Sequence, residues 1–181
     1  MNNKNKIVIF CKSTNLKENL VKKIISNHKY FLCGFYTAAV KDKDKIAAYN
    51  IISTNGIERT LAGKNFLSSV YLNKYSIDIA AIDEFAVNEI ENSLKSKKII
   101  LIDEFGSFFL KSQKFINTMI KLFNSDVPAI IMARKIKEIH STFKNIDNVE
   151  IVEINDKNYI NTIKNIELWI YNRIKTQKFN S

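Results

Sequence analysis

The sequence predicts an α/β protein, a mostly parallel sheet flanked by helices and interrupted by an antiparallel hairpin. Three observations predict it. Four short apolar runs recur along the chain: "KIVIFC" (Lys6–Cys11), "KIILID" (Lys98–Asp103), "AIIMA" (Ala129–Ala133) and "VEIVEI" (Val149–Ile154). The first three are nearly continuous rather than alternating, as strands become when helices cover both faces of a sheet. Between the runs, apolar residues fall at three-to-four spacing, and residues 34–61 alone break this alternation. At 181 residues the chain reads as a single domain, long enough to bury roughly two-thirds of the surface its unfolded form exposes.

Taken in order, Lys6–Cys11 is the first strand, and Leu20, Ile24 and Ile25 mark the buried stripe of the helix after it. "FLCGFYTAAV", "KDKDK" and "IAAYNIIST" then read as two β segments joined by a solvated charged turn, with "NGIERTL" as a further short strand. Ile79, Ile82, Phe85, Ala86, Ile90 and Leu94 predict the second helix; Phe115, Met119, Ile120 and Phe123 predict the third. The last helix spans about 157–175, with Ile160, Ile163, Ile166, Trp169, Ile170 and Ile174 on one side. That stripe suits packing on the sheet better than lying on a membrane. No apolar segment approaches the roughly 20 residues that span a bilayer, and the N-terminus lacks a signal-type stretch, so a cytoplasmic protein is expected.

Lys and Arg number 28 against 18 Asp and Glu, a formal charge of +10. Such a charge suggests nucleic acid, yet the lysines are scattered, and Arg occurs only as Arg59, Arg134 and Arg173. Arg provides the bidentate forks of specific phosphate and base recognition, so nucleic acid is not the favoured partner. Cys11 and Cys33 each adjoin an apolar run and read as buried thiols of a reducing compartment. His28 and His140 stand far apart with no ligand spacing around them, which argues against zinc.

The most specific chemical signal is "IILIDEFG" (Ile99–Gly106). It places Asp103 and Glu104 at the carboxyl end of a buried strand, the edge where open α/β sheets bind ligands. In a nucleoside triphosphatase such an Asp supports Mg²⁺ and the following Glu prepares the attacking water. Phe105, Phe108 and Phe109 after the pair are expected in the core.

The first strand–turn–helix unit is where a phosphate loop would lie. Laying G-x-x-x-x-G-K-[ST] on Cys11–Glu18 puts Cys11 and Leu16 at the glycines, Lys17 at the lysine and Glu18 at the hydroxyl residue, so only Lys17 matches. Turning amides inward through glycine conformations costs a residue with a Cβ about 1–2 kcal/mol. Asn15 followed by Glu18 has the spacing of a capping box, which would occupy the helix amides with the chain's own side chains. On that reading Lys17 is a surface lysine rather than a phosphate ligand.

Several motifs in order resemble those of the small nucleoside-triphosphatase family found in archaea, bacteria and animals, where it is called cancer-related nucleoside-triphosphatase. They are "GFYTAAV" (Gly34–Val40), "AYNIIS" (Ala48–Ser53), "NKYSIDIAAIDEFAVNEI" (Asn73–Ile90), "IILIDEFGSFFLKSQKF" (Ile99–Phe115) and "ARK" (Ala133–Lys135). The resemblance covers about residues 6–165. It implies a RecA-like P-loop NTPase fold with a β-hairpin insertion and Mg²⁺-dependent hydrolysis of nucleoside triphosphates such as ATP or GTP. By resemblance, Glu104, Lys17 and Arg134 would be catalytic and Asp103 would support the metal; in an active enzyme Lys12, Ser13, Thr14 and Lys17 of the turn would contact phosphate, and Glu18 would be a further candidate for the metal. Because the loop lacks both glycines and the Ser/Thr, the leading expectation is a family member whose hydrolysis is weak or lost, kept as a pseudoenzyme or interaction module. An active Mg²⁺-dependent enzyme is the alternative, and a basic nucleic-acid-associated module the second.

Overall fold

The computed structural model describes residues 4–134 and 146–179. A parallel block contains β1 (Lys6–Cys11), β2 (Leu32–Asp42), β7 (Ile99–Phe105), β8 (Ala129–Ala133) and β9 (Val149–Ile154). An antiparallel extension adds β3 (Lys45–Ser53), β4 (Glu58–Gly63), β5 (Tyr71–Leu72) and β6 (Tyr75–Ile77). Together they form one sheet in the order β5-β6-β4-β3-β2-β7-β8-β1-β9. The expected α/β class holds, and all four apolar runs are parallel strands.

Strand β2 joins the two blocks. Its first residues pair in parallel with β7, Leu32 opposite Ile99 and Phe35 opposite Ile102, and its later residues pair antiparallel with β3 from Phe35–Ser53 to Asp42–Lys45. Gly34 makes the close approach possible: its φ is +100°, and a Cβ there would lie 2.3 Å from the Leu101 carbonyl oxygen. The short β5–β6 pair was not foreseen from the sequence.

Helices cover both faces. On one side, α1 (Thr14–His28) and α4 (Tyr159–Phe179) bury Leu20, Val21, Ile24, Ile163, Ile166, Trp169 and Ile170 against Ile7, Ile9, Leu101 and Met132. On the other side, α2 (Val87–Leu94) and α3 (Gln113–Phe123) bury Val87, Ile90, Phe115, Met119 and Leu122 against Val8, Ile100, Ile102 and Ile131. Alternate residues of β1 and β7 thus serve opposite cores, which explains their continuous hydrophobicity.

The periodicity readings differ in detail. A π-helical turn, Ala81–Ala86, precedes α2, so the second helical pattern is not one regular α-helix. Ile120 and Ile160, placed on buried stripes by spacing, are exposed, while Leu122 takes up core volume on α3. Phe105 and Phe109 are buried as expected, but Phe108 is half-buried at a cavity wall. Cys11 and Cys33 are half-buried free thiols. Lys135 and His140 lie outside the described residues.

Candidate functional site

Only Lys12 and Ser13 connect β1 to α1. Ser13 has extended backbone (φ −86°, ψ 119°), and its Oγ accepts a hydrogen bond from the Leu16 amide at 3.3 Å. Its carbonyl accepts from the Lys17 amide at 3.1 Å. Ser13 is therefore the helix cap, a correction to the Asn15–Glu18 capping box. The reason is the strand's length: β1 runs to Cys11 and the helix starts at Thr14, so Asn15 already sits inside the first turn. Among the described residues, neither the Asn15 nor the Glu18 side chain forms a hydrogen bond, and the amides of Thr14 and Asn15 have no acceptor.

Lys17 projects from that first turn toward β7. Its Nζ lies 2.8 Å from Asp103 Oδ1 and 3.1 Å from Glu104 Oε2, with only 13% of its side chain exposed. This corrects the reading of Lys17 as a surface lysine. Successive residues of a regular strand point to opposite faces, so consecutive carboxylates would not normally share a cation. Here the register between β7 and β8 breaks between Asp103 and Phe105, and the break allows both carboxylates to reach Lys17.

Arg134, just beyond β8, completes the cluster. Its Nε donates to Glu104 Oε1 at 2.6 Å, and its backbone amide donates to the Phe105 carbonyl at 3.2 Å. Gly106 leaves room for this pair, because a Cβ there would lie 2.6 Å from Glu104 Oε1 and 3.2 Å from Arg134 Cγ. The other oxygen of Asp103 accepts from the amide and hydroxyl of Thr37, each at 3.4 Å. Thr37, on β2, was not singled out from the sequence, and its contact with residue 103 depends on the pairing of two distant strands.

Electrostatically the cluster is compensated, with two carboxylates facing one ammonium and one guanidinium. Asp103 is 1% exposed. Burial pushes its carboxyl above the usual value, and the Lys17 ammonium offsets part of that rise. Burial alone would lower Lys17, but the attraction of Asp103 and Glu104 prevails and holds its ammonium above the ordinary value. For Arg134 the Glu104 charge dominates and raises its guanidinium further.

The cluster forms the polar end of a cavity of about 550 Å³ between α1 and the β2–β3 hairpin. Thr14, Lys17, Glu18, Asp103, Glu104 and Arg134 all line it, so the structure gathers these sequence-selected residues at one place. Lys12 is exposed and not part of the lining, and the Ser13 hydroxyl is used as the cap.

The family model described as NTPase matches residues 6–167. Nucleoside-triphosphatase THEP1 of Thermotoga maritima is 31% identical over 78% of this chain and 82% of its own. The protein of the same name from Aquifex aeolicus is 27% identical over 72% and 77%, respectively. Among solved structures, the crystal structure of THEP1 from Aquifex aeolicus superposes with a TM-score of 0.77 at 22% identity, covering 89% of this chain and 96% of that one. The solution structure of a human cancer-related nucleoside triphosphatase gives 0.72 at 16% identity, covering 92% and 97%. These two likenesses are of fold, and they agree with the helix-flanked sheet described above. Since the model match runs from the first strand into the last helix and the Thermotoga relative aligns over most of both chains, this protein belongs to the NTPase family.

Proposed function

We propose that this chain is a nucleoside-triphosphatase-family protein whose triphosphate hydrolysis is weak or lost, and whose pocket is retained for binding or interaction. The observation that carries the reading is the double use of Ser13, which takes the amides of both Leu16 and Lys17 into an ordinary helix start. Phosphoryl transfer depends almost entirely on positioning and charge neutralisation. A loop that turns its amides inward supplies both. Here the corresponding residues are helical, and the lysine that would reach a phosphate is held by Asp103 and Glu104.

Phosphate release from ATP and GTP with Mg²⁺, measured for the natural protein and for Glu104→Gln, tests the proposal. Both should remain at the background of the assay. Release by the natural protein that the substitution abolishes would overturn it.

A second reading, an active Mg²⁺-dependent triphosphatase, is favoured by one observation: the Thr14 and Asn15 amides lack acceptors among the described residues and adjoin the cavity. In that reading Lys17 and Arg134 hold phosphates and Glu104 prepares the water. The donors at the cavity are oxygens, which suit a hard cation, and among the described residues no group of three His, Cys, Asp or Glu could hold a metal on its own. Mg²⁺ commonly binds through one or two carboxylates plus substrate phosphates, so Asp103 and Glu18 fit it. Bound there, the ion would neutralise phosphate charge.

A further inference from the structure

The cavity continues well beyond the acidic pair. Its lining follows α1 past the first turn to Val21, Lys22 and Ile25, about two to three turns from the amides where a phosphate would be held. Facing them across the cavity are Tyr36, Ala38 and Lys41 of β2. Ile46 and Tyr49 of β3, with Phe108 after β7, close the apolar wall. Ile25, Tyr36, Ile46, Tyr49 and Phe108 are all only half-buried, so an apolar concavity faces solvent. Ligand sites share this composition: mostly apolar walls, a few fixed polar groups and a volume of about 300–1,000 Å³.

The charges distinguish the two ends. At the inner end Lys17 and Arg134 are already paired with Asp103 and Glu104. Lys22 and Lys41 are exposed on opposite walls, one on α1 and the other on β2, and neither has an ion-pair partner among the described residues. Glu18 near the start of α1 also lines the cavity and adds negative charge at the inner end, so the charge available to an incoming ligand at the opening is positive, and the walls between are largely apolar.

We propose that this compartment is a binding site for a small amphipathic monocarboxylate, its apolar body between α1 and the β2–β3 hairpin and its carboxylate between Lys22 and Lys41. The site goes beyond the reading of triphosphate chemistry and does not depend on turnover, because it uses walls that the acidic cluster leaves open. The phosphates of a nucleoside triphosphate, with several charges and no apolar surface, would match the helix start instead.

Isothermal titration of the full chain with octanoate, decanoate, 3-phenylpropionate, 1-naphthylacetate and indole-3-acetate tests the site, with 1-naphthylacetamide and inorganic phosphate as controls. At least one acid should bind saturably with one equivalent, and the uncharged amide should bind at least tenfold more weakly. The double substitution Lys22→Glu and Lys41→Glu changes exposed residues only, and it should weaken the same acid at least tenfold while the circular dichroism spectrum is unchanged. Ala38→Phe should fill the cavity and abolish binding. Failure of all five acids to bind would overturn the proposal. So would binding that the lysine pair does not affect, or an amide that binds as well as its acid. A failed titration leaves the phosphate-release result untouched, so the two readings fail separately.

Discussion

Lys17 Nζ lies 2.8 Å from Asp103 Oδ1 although 86 residues separate them in the chain. The contact ties the first turn of α1 to the end of β7, and both side chains are largely withdrawn from solvent. Removing one member of a buried pair leaves the other charge uncompensated, which typically costs 3–5 kcal/mol. Lys17→Met should therefore destabilise the protein by about 3 kcal/mol in urea unfolding. Adding Asp103→Asn should recover much of the loss, since the buried charge is then gone. A single-mutant loss below about 0.5 kcal/mol would mean that the pair contributes nothing.

The same burial predicts a pH dependence. Native Asp103 keeps its proton above the ordinary carboxyl value of roughly 3.9. Across that window the native state binds more protons than the unfolded state, so the slope of stability with pH is negative for this group. Its contribution is fully present below the ordinary value and is lost as pH rises through the raised native value. Urea melts of the natural protein and Asp103→Asn from pH 4 upward should show the stability of the natural protein minus that of the variant falling as pH increases. A difference that grows with pH would show the carboxyl to be depressed instead.

Much of this was legible in the sequence, and the omissions have physical causes. The parallel strands could be read because burial on both faces makes them continuously apolar. The hairpin could be read from the polar turn between its halves. Strands β5 and β6 hold two and three residues, too few for any periodicity. At the site, the acidic pair was visible because it ends an apolar run. The cap was misplaced because Ser13 and Asn15 are both good capping residues, and only the point where β1 stops decides between them. The burial of Lys17 was hidden because its partners lie on a distant strand, brought near by the sheet order.

Gly34 and Gly106 predict contrasting costs. At Gly34 an added Cβ would meet backbone, the Leu101 carbonyl oxygen, and φ is +100°. Overpacking costs about 1–3 kcal/mol and the left-handed conformation about 1–2 more, so Gly34→Ala should lose about 3 kcal/mol. At Gly106 the nearest atoms belong to the Glu104 and Arg134 side chains, which can shift. Gly106→Ala should cost under about 1 kcal/mol. Thermal unfolding of the two variants checks the order, and equal losses would contradict it.

The helix start gives the last prediction, because it separates the chain's own capping from ligand binding. Among the described residues Ser13 supplies the only N-terminal side-chain cap of α1, so Ser13→Ala should cost about 1 kcal/mol, whereas Asn15→Ala and Glu18→Ala should each cost less than about 0.5. Substituting Leu16→Gly and Glu18→Thr together returns a glycine and a hydroxyl to the places a phosphate loop needs them. If the acidic cluster and Lys17 are otherwise competent, these two changes should raise the affinity for Mg²⁺-ATP, seen as a higher melting temperature with nucleotide than without. The effect should be larger with Ser13→Ala added, since the amide at position 16 then loses its internal acceptor and becomes available to phosphate. An unchanged nucleotide shift in the triple variant would mean that the loss of phosphate grip extends past the loop to the acidic cluster itself.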